Sequence, residues 1–179
     1  AGHQVWCFTT PLGKPEIEEE LTKYPGVNIN FVYVDSPGWV GILHSIQSRI
    51  PSLFNLYYYI NYLAWQKKAS KVALVMDRDV DFDIIHHVTL GSFQLASGMW
   101  RLNKPFVFGP VGGGNFAPPA FKKYFGKGWR GERTRRMISR LLLALNRSTR
   151  QTAKKASLLL VTNNDTREMA RRIGATSID

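Results

Sequence analysis

Residues Pro105 to Asn115, PFVFGPVGGGN, run from a β-rich segment directly into three consecutive glycines. Phe106, Val107 and Phe108 favour a buried, pleated strand. Gly112, Gly113 and Gly114 end it with a loop in which no Cβ keeps backbone N–H groups from a close neighbour. Pro118 and Pro119 can then start a helix, and Gly126, Gly128 and Gly131 mark a further loop. Strand, glycine loop and helix in that order form one repeat of an α/β protein, and the pattern recurs on both sides. Upstream, Asp83 to Thr89 reads as a strand stopped by Gly91, with Ser92 to Leu102 as a helix. Downstream, Leu158 to Thr162 reads as a strand and Asp165 to Arg172 as a helix closed by Gly174.

Toward the amino terminus the alternation continues. Val5 to Thr10 is a strand that Pro11 and Gly13 stop, and Pro15 with Glu16, Glu18, Glu19 and Glu20 makes an acidic helix start suited to the dipole. Tyr24-Pro25-Gly26 ends that helix, and Asn28 to Asp35 is a second strand. From Pro51 and Ser52 to about Met76 the spacing of Leu56, Ile60, Leu63, Ala64, Val72 and Met76 predicts one long helix. The whole pattern predicts a Rossmann-like α/β domain, a mostly parallel sheet with helices on both faces. Ligands of such sheets sit beyond the carboxyl ends of the strands. The predicted rim is therefore residues 9 to 13, 35 to 38, 87 to 92, 109 to 115 and 162 to 164.

A length of 179 residues suits one domain, and no apolar run approaches the roughly 18 residues of a spanning helix. The single cysteine, Cys7, allows no internal disulfide, and the first ten residues are no signal peptide, so a reducing, cytoplasmic setting is expected. Charge is uneven. Residues 1 to 100 hold seven Lys/Arg against nine Asp/Glu, whereas residues 101 to 179 hold seventeen against four. Between Lys122 and Lys155 twelve basic residues meet one acid, Glu132, a field that attracts phosphate of any origin.

The glycine loop excludes two nucleotide-binding patterns. Gly109-x4-Gly114 is followed by Asn115-Phe116, where a P-loop needs Lys and Ser/Thr. Gly112-x-Gly114-x-x-Ala117 fits a dinucleotide fingerprint loosely, but two prolines follow and no acid ends a suitable next strand. Asp77-x-Asp79-x-Asp81-x-Asp83 lacks the glycine and glutamate of an EF-hand at Phe82 and Val88, and reads as a solvated helix end with a turn. His86 and His87 end a strand, where neighbouring side chains point to opposite faces, so at most one of the two faces a given site and either can be structural. Neither belongs to a zinc spacing.

From Thr134 to about Lys155 the chain predicts one basic, amphipathic helix. Arg133, Arg136, Arg140, Arg147 and Arg150 lie to one side, and Met137, Ile138, Leu141, Leu142, Ala144 and Leu145 mostly to the other. Three roles are open to it: a core helix with a solvated basic face, a membrane-surface helix, or a nucleic-acid contact. The apolar arc is wide enough to pack on the domain's own core.

Four segments together resemble family 4 glycosyltransferases, in the amino-terminal domain. They are GHQVWCFTT (2 to 10), FDIIHHVTLGSF (82 to 93), PFVFGPVGGG (105 to 114) and VTNNDTR (161 to 167). The resemblance runs in order over almost the whole chain, and the His-His-Val-Thr-x-Gly-Ser strand end with Gly-Pro-Val-Gly-Gly-Gly is its most specific part. It implies half of a GT-B fold, residues 1 to 179 being the acceptor-side domain without its first strand and helix. A donor domain would follow. It also implies a retaining, metal-independent hexosyltransferase without a cofactor, taking sugar from a nucleoside diphosphate sugar. The acceptor would be a sugar or a lipid-linked one in cell-surface polysaccharide or glycolipid synthesis, and the isolated fragment would be inactive.

His86 falls on the first histidine of the family's Asp-x-x-His-x-His pattern, counted from Asp83, while Val88 stands at the second. His86 and His87 are thus the catalytic candidates. Thr89, Gly91, Ser92, Gly112, Gly113, Gly114, Asn115, Thr162 and Asn163 are the substrate-binding ones, and Gly113→Val would remove transfer while sparing the fold. The basic helix, residues 133 to 150, would approach an anionic membrane, placing the protein at the inner face of the cell membrane. Nucleic acid is not an expected partner. The alternative is a non-catalytic basic α/β domain that binds nucleic acid or an anionic membrane.

Overall fold

The computed structural model describes residues 2–50, 54–88 and 90–179. The chain is an α/β protein whose strand pairings among the described residues are parallel, and it divides into two compact units, residues 1–75 and 76–179. The predicted starts of the long helix at Pro51 and Ser52, and the predicted ligand Thr89, lie outside the described residues.

In the first unit, β1 (Val5–Thr9) pairs in parallel with β2 (Ile29–Tyr33), with Val5 opposite Ile29 and Thr9 opposite Tyr33. The crossover is α1 (Lys14–Thr22), with Pro15 in its first turn. Gly13 precedes it at φ 78°, a left-handed conformation that glycine adopts without a Cβ penalty. Beyond β2, the Val34 carbonyl accepts from Trp65 Nε1 at 2.7 Å, and Ser36 Oγ donates to Asn61 Oδ1 at 2.9 Å. These bonds tie the end of β2 to α3 (Phe54–Val80). A helix absent from the sequence expectation, α2 (Val40–Arg49), precedes α3, and Val40 is its only buried residue.

The long helix forms as expected, but on a different stripe. Its buried positions are Tyr62, Gln66, Ala69, Ser70 and Ala73, whereas Leu56 is exposed. The side chains buried at 69, 70 and 73 are small, which a count of large apolar residues does not register.

The second unit holds a sheet of order β3 (Ile85–His87), β4 (Phe106–Val111) and β5 (Leu158–Val161). Ile85 stands opposite Phe106 and Phe108 opposite Leu159, and the register shifts between Phe108 and Val111. Gly109, at φ 128°, fills that irregularity, where a Cβ would run into the Leu160 backbone. Phe93, Phe106, Phe108, Val111 and Leu159 are fully buried and form the core, with Phe93 and Phe106 about the Phe108 ring at 6.3 and 6.1 Å. On its far edge β5 pairs with the final residues: Leu159 N–H donates to the Ser177 carbonyl and Asp179 N–H to that of Leu159, each at 2.9 Å. Among the described residues the alternation thus forms two parallel sheets, β1–β2 and β3–β4–β5, where one was expected.

Three local expectations fail for tertiary reasons. The segment after β3 is not a helix. Ser92 bridges to Gly112, the Phe93 N–H donates to the Gly112 carbonyl, and only Met99–Leu102 closes a 3₁₀ turn. Phe93, Ala96 and Ser97 are buried there as a plug, so the segment extends the pairing of the sheet. The glycines at 126, 128 and 131 do not make a loop. After a 3₁₀ turn at Pro119–Phe121 and the one-turn helix α4 (Lys122–Phe125), residues Gly126–Gly128 form another 3₁₀ turn, and Gly131 lies inside α5 (Trp129–Leu145).

The basic helix is also two helices. Asn146 leaves the helical conformation, and its side chain accepts from the Ser148 and Thr149 N–H groups, capping α6 (Arg147–Lys155). Thr149, Thr152 and Ala153 of α6 are buried, and α6 packs on β4. The last helix, α7 (Asn164–Arg172), is capped by Asn163 and packs on β5.

Candidate functional site

The carboxyl ends of β3, β4 and β5 bring one group of predicted residues together. Gly112 N–H donates to the Gly91 carbonyl at 2.6 Å, joining the loops after β3 and β4. Ser92 Oγ donates to Gln94 Oε1 at 2.8 Å, and Gln94 Nε2 donates to the Gly113 carbonyl at 3.0 Å and to Ser139 Oγ at 2.7 Å. Gly114 N–H donates to Thr166 Oγ1 at 3.1 Å, and Thr166 donates in turn to Asn163 Oδ1. Thr162 N–H donates to the Val111 carbonyl.

Each glycine of the loop is required by the protein itself. A Cβ on Gly112 would lie 2.9 Å from Thr162 Oγ1, and one on Gly113 2.5 Å from Gln94 Oε1. One on Gly114 would lie 2.5 Å from the Thr166 nitrogen, inside the first turn of α7. Close packing, on the Thr162 side chain for Gly112 and on the first turn of α7 for Gly114, leaves no open space at these two positions. Their amides already have protein acceptors, so the Gly113 amide is the one of the three with no partner among the described residues.

Downstream, α5 holds the loop. Arg135 Nη2 donates to the Asn115 carbonyl at 2.7 Å, and Arg136 Nη2 to that of Ala117 at 2.8 Å. The guanidinium carbons of both lie 5.1 Å from the Phe116 ring centre, within cation–π range. Glu132 accepts from the Ala117 N–H at 3.0 Å and from Arg135 at 2.8 Å. Arg135 and the Ala117 N–H together pull the Glu132 carboxyl down to about 2. Asn115 itself is exposed.

The two histidines separate as strand geometry demands. His87 is buried, its Nδ1 2.8 Å from Ser97 Oγ and its ring edge-on to Phe108 at 5.2 Å. His86 is exposed, and its Nε2 lies 2.9 Å from the Gly109 carbonyl. A carbonyl can only accept, so His86 carries its proton on Nε2 and, when neutral, turns a lone pair outward at Nδ1. His86 stands level with Val107 and with Leu158, the first residue of β5, and so below the loop cluster, in which Thr162 and Gly91 are exposed and Ser92 and Asn163 half-buried.

The aspartate series 77 to 83 is a helix end, as the sequence suggests. Asp77 Oδ1 accepts from the Phe82 N–H at 2.9 Å, and Lys104 Nζ lies 3.5 Å from Asp77 and closer still to Asp81. The Lys104 ammonium holds the Asp81 carboxyl below its usual range. Among the described residues no three His, Cys, Asp or Glu side chains group as metal ligands, and no helix is long and apolar enough to cross a membrane.

Gln94, Ser139, Glu132, Arg135 and Thr166 escaped the sequence reading. For Thr166 a signal existed, since Asn163-x-x-Thr166 is a helix start. Gln94 and Ser139 carry none, because 45 residues separate the two partners of one hydrogen bond.

Fold and site define an α/β protein of parallel strands whose strand-end loops form one hydrogen-bonded cluster. Compared with protein-family models, curated proteins and solved structures, the chain matches none.

Proposed function

We propose that the chain is the acceptor-side part of a retaining sugar transferase, drawing on a nucleoside diphosphate sugar and working without a metal ion. One observation carries the proposal: the loops that follow three parallel strands meet at one set of strand ends, Gly91 with Gly112 and Val111 with Thr162, and leave Gly91, Asn115 and Thr162 exposed. Ligands of parallel α/β sheets bind there. Transfer with retention needs an acceptor hydroxyl held on the face from which the diphosphate leaves, so positioning and fixed dipoles supply much of the rate. The Gly113 amide can donate to a sugar or phosphate oxygen, while His86, exposed on β3 below the loops, can offer Nδ1 to a more distant hydroxyl of the acceptor. Thr162, Ser92 and Asn163 offer further hydroxyl and amide contacts. His87, packed on Phe108, positions the strand and touches no substrate in this scheme. The setting that goes with it is the cytoplasm, for acceptors of cell-surface polysaccharide or glycolipid synthesis.

Titration of the isotope-labelled chain with oligosaccharides and with uridine, guanosine and adenosine diphosphate sugars tests the proposal. The expected result is amide shift changes confined to residues 86 to 94, 112 to 115 and 162 to 164. Shifts elsewhere, or none with any of these probes, overturn it. The chain alone is expected to transfer no sugar, and product formed by it would overturn the acceptor-side assignment.

A further inference from the structure

Helix α5 turns outward the apolar arc that its sequence suits to a core. Met137, Ile138, Leu141 and Leu145 are 64, 48, 55 and 70% exposed, while Ser139 and Leu143 are buried. At about 100° per residue the four exposed apolar side chains share an arc of roughly 100°, with Arg130 inside it and Arg133 and Arg140 at its border. Among the described residues none of these arginines, nor Lys122, forms an ion pair. An open groove of about 1050 Å³ runs along this face, lined by Lys122, Arg133 and Arg140 together with Trp129, Met137 and Leu141.

Apolar surface and unpaired cations in one stripe ask for a partner that supplies hydrocarbon and phosphate together. A nucleic acid would answer the arginines and could stack on Tyr124 or Trp129, but would leave the Met137, Ile138, Leu141 and Leu145 stripe in water. A protein partner would bury the arginines at a cost unless it brought matching carboxylates. A bilayer of anionic lipids meets both needs: phosphates lie at the level of the guanidinium groups, and the acyl boundary lies just beneath. Helix α6, though basic, exposes no large apolar side chain, which limits the surface to α5 and the turn before it.

We propose that α5 docks on an anionic phospholipid bilayer. The helix lies in the interface plane, with Met137, Leu141 and Leu145 below the headgroups and Arg130, Arg133 and Arg140 on lipid phosphates. The inference does not depend on sugar transfer, since its readout is vesicle binding alone.

The test is co-sedimentation of the 179-residue chain with vesicles of phosphatidylglycerol and phosphatidylcholine at three to seven, against pure phosphatidylcholine. Binding is expected to the first only and to weaken with salt. Neutralising Arg133 and Arg140 as glutamines should lower partitioning by about fivefold for each arginine. Leu141→Asp, at an exposed position, should lower it at least tenfold with an unchanged circular dichroism spectrum. Equal binding to neutral vesicles, or full binding by folded Leu141→Asp, overturns the proposal. So does a chain that ignores vesicles yet binds a DNA duplex, or one whose Leu141→Asp variant merely converts a dimer to monomer.

Discussion

The Gly114 N–H donates to the hydroxyl of Thr166, 52 residues away, at 3.1 Å. The glycine loop after β4 is thereby locked onto the first turn of α7, and the same hydroxyl passes on to Asn163, which caps that helix. Loop, cap and strand end form one connected unit.

Gly114→Ala should therefore be costly although the residue is small. Its Cβ would meet helix backbone, which cannot swing aside, and overpacking of this kind costs about 1–3 kcal/mol. Urea unfolding of the variant, read as a fall in midpoint at constant slope, checks it.

Gly113→Val should also destabilise the chain, in contrast to the sequence expectation that it would spare the fold. The backbone stands at φ 105°, where a β-branched residue is strained, and the nearest obstacle is the Gln94 side chain. A cost of about 1–3 kcal/mol is expected. A midpoint equal to that of the parent chain would return the loop to its purely ligand-binding interpretation.

Thr166→Val keeps the shape but removes both the acceptor of Gly114 and a donor to Asn163. Thr166 is fully buried, so the stranded Gly114 N–H should cost about 1–3 kcal/mol. Amide exchange at Gly114 should speed up before exchange at the β4 core does.

Acid should loosen the clamp between α5 and the loop. The Glu132 carboxyl is held at about 2, below its ordinary 4.5, so folding favours its ionised form. That contribution is present above about 4.5 and is lost as the pH falls through the interval down to about 2. Glu132→Gln should flatten the difference in stability between pH 5 and pH 2, as followed by thermal melts. A parallel pH dependence in parent and variant would assign the loss to other groups.

Asn146→Ala should cost about 1 kcal/mol by removing the cap that starts α6. Loss of helicity confined to residues 147–155, measured by backbone chemical shifts, is the expected signature.

Strand runs such as Val5–Thr9, Phe106–Val111 and Leu158–Val161 were legible because β-branched and aromatic residues between turn residues define a strand locally. Their parallel alternation with helices followed from order alone. The rim after β3, β4 and β5 was legible for the same reason, since a strand's end fixes where its loop begins. Tertiary structure decided everything that depends on what a segment meets. Residues 92 to 98 gave up a helix because Gly112 offered their backbone a sheet partner and the core offered Phe93 a place. The choice between His86 and His87 fell to the face on which Phe108 lies. Amphipathicity announced α5, but its face was set by long-range bonds: Ser139 to Gln94, Glu132 to Ala117 and Arg136 to Ala117 pull inward the side that is not the most apolar. Periodicity shows that a helix has two faces; only the partners, distant in the chain, determine which of them is covered.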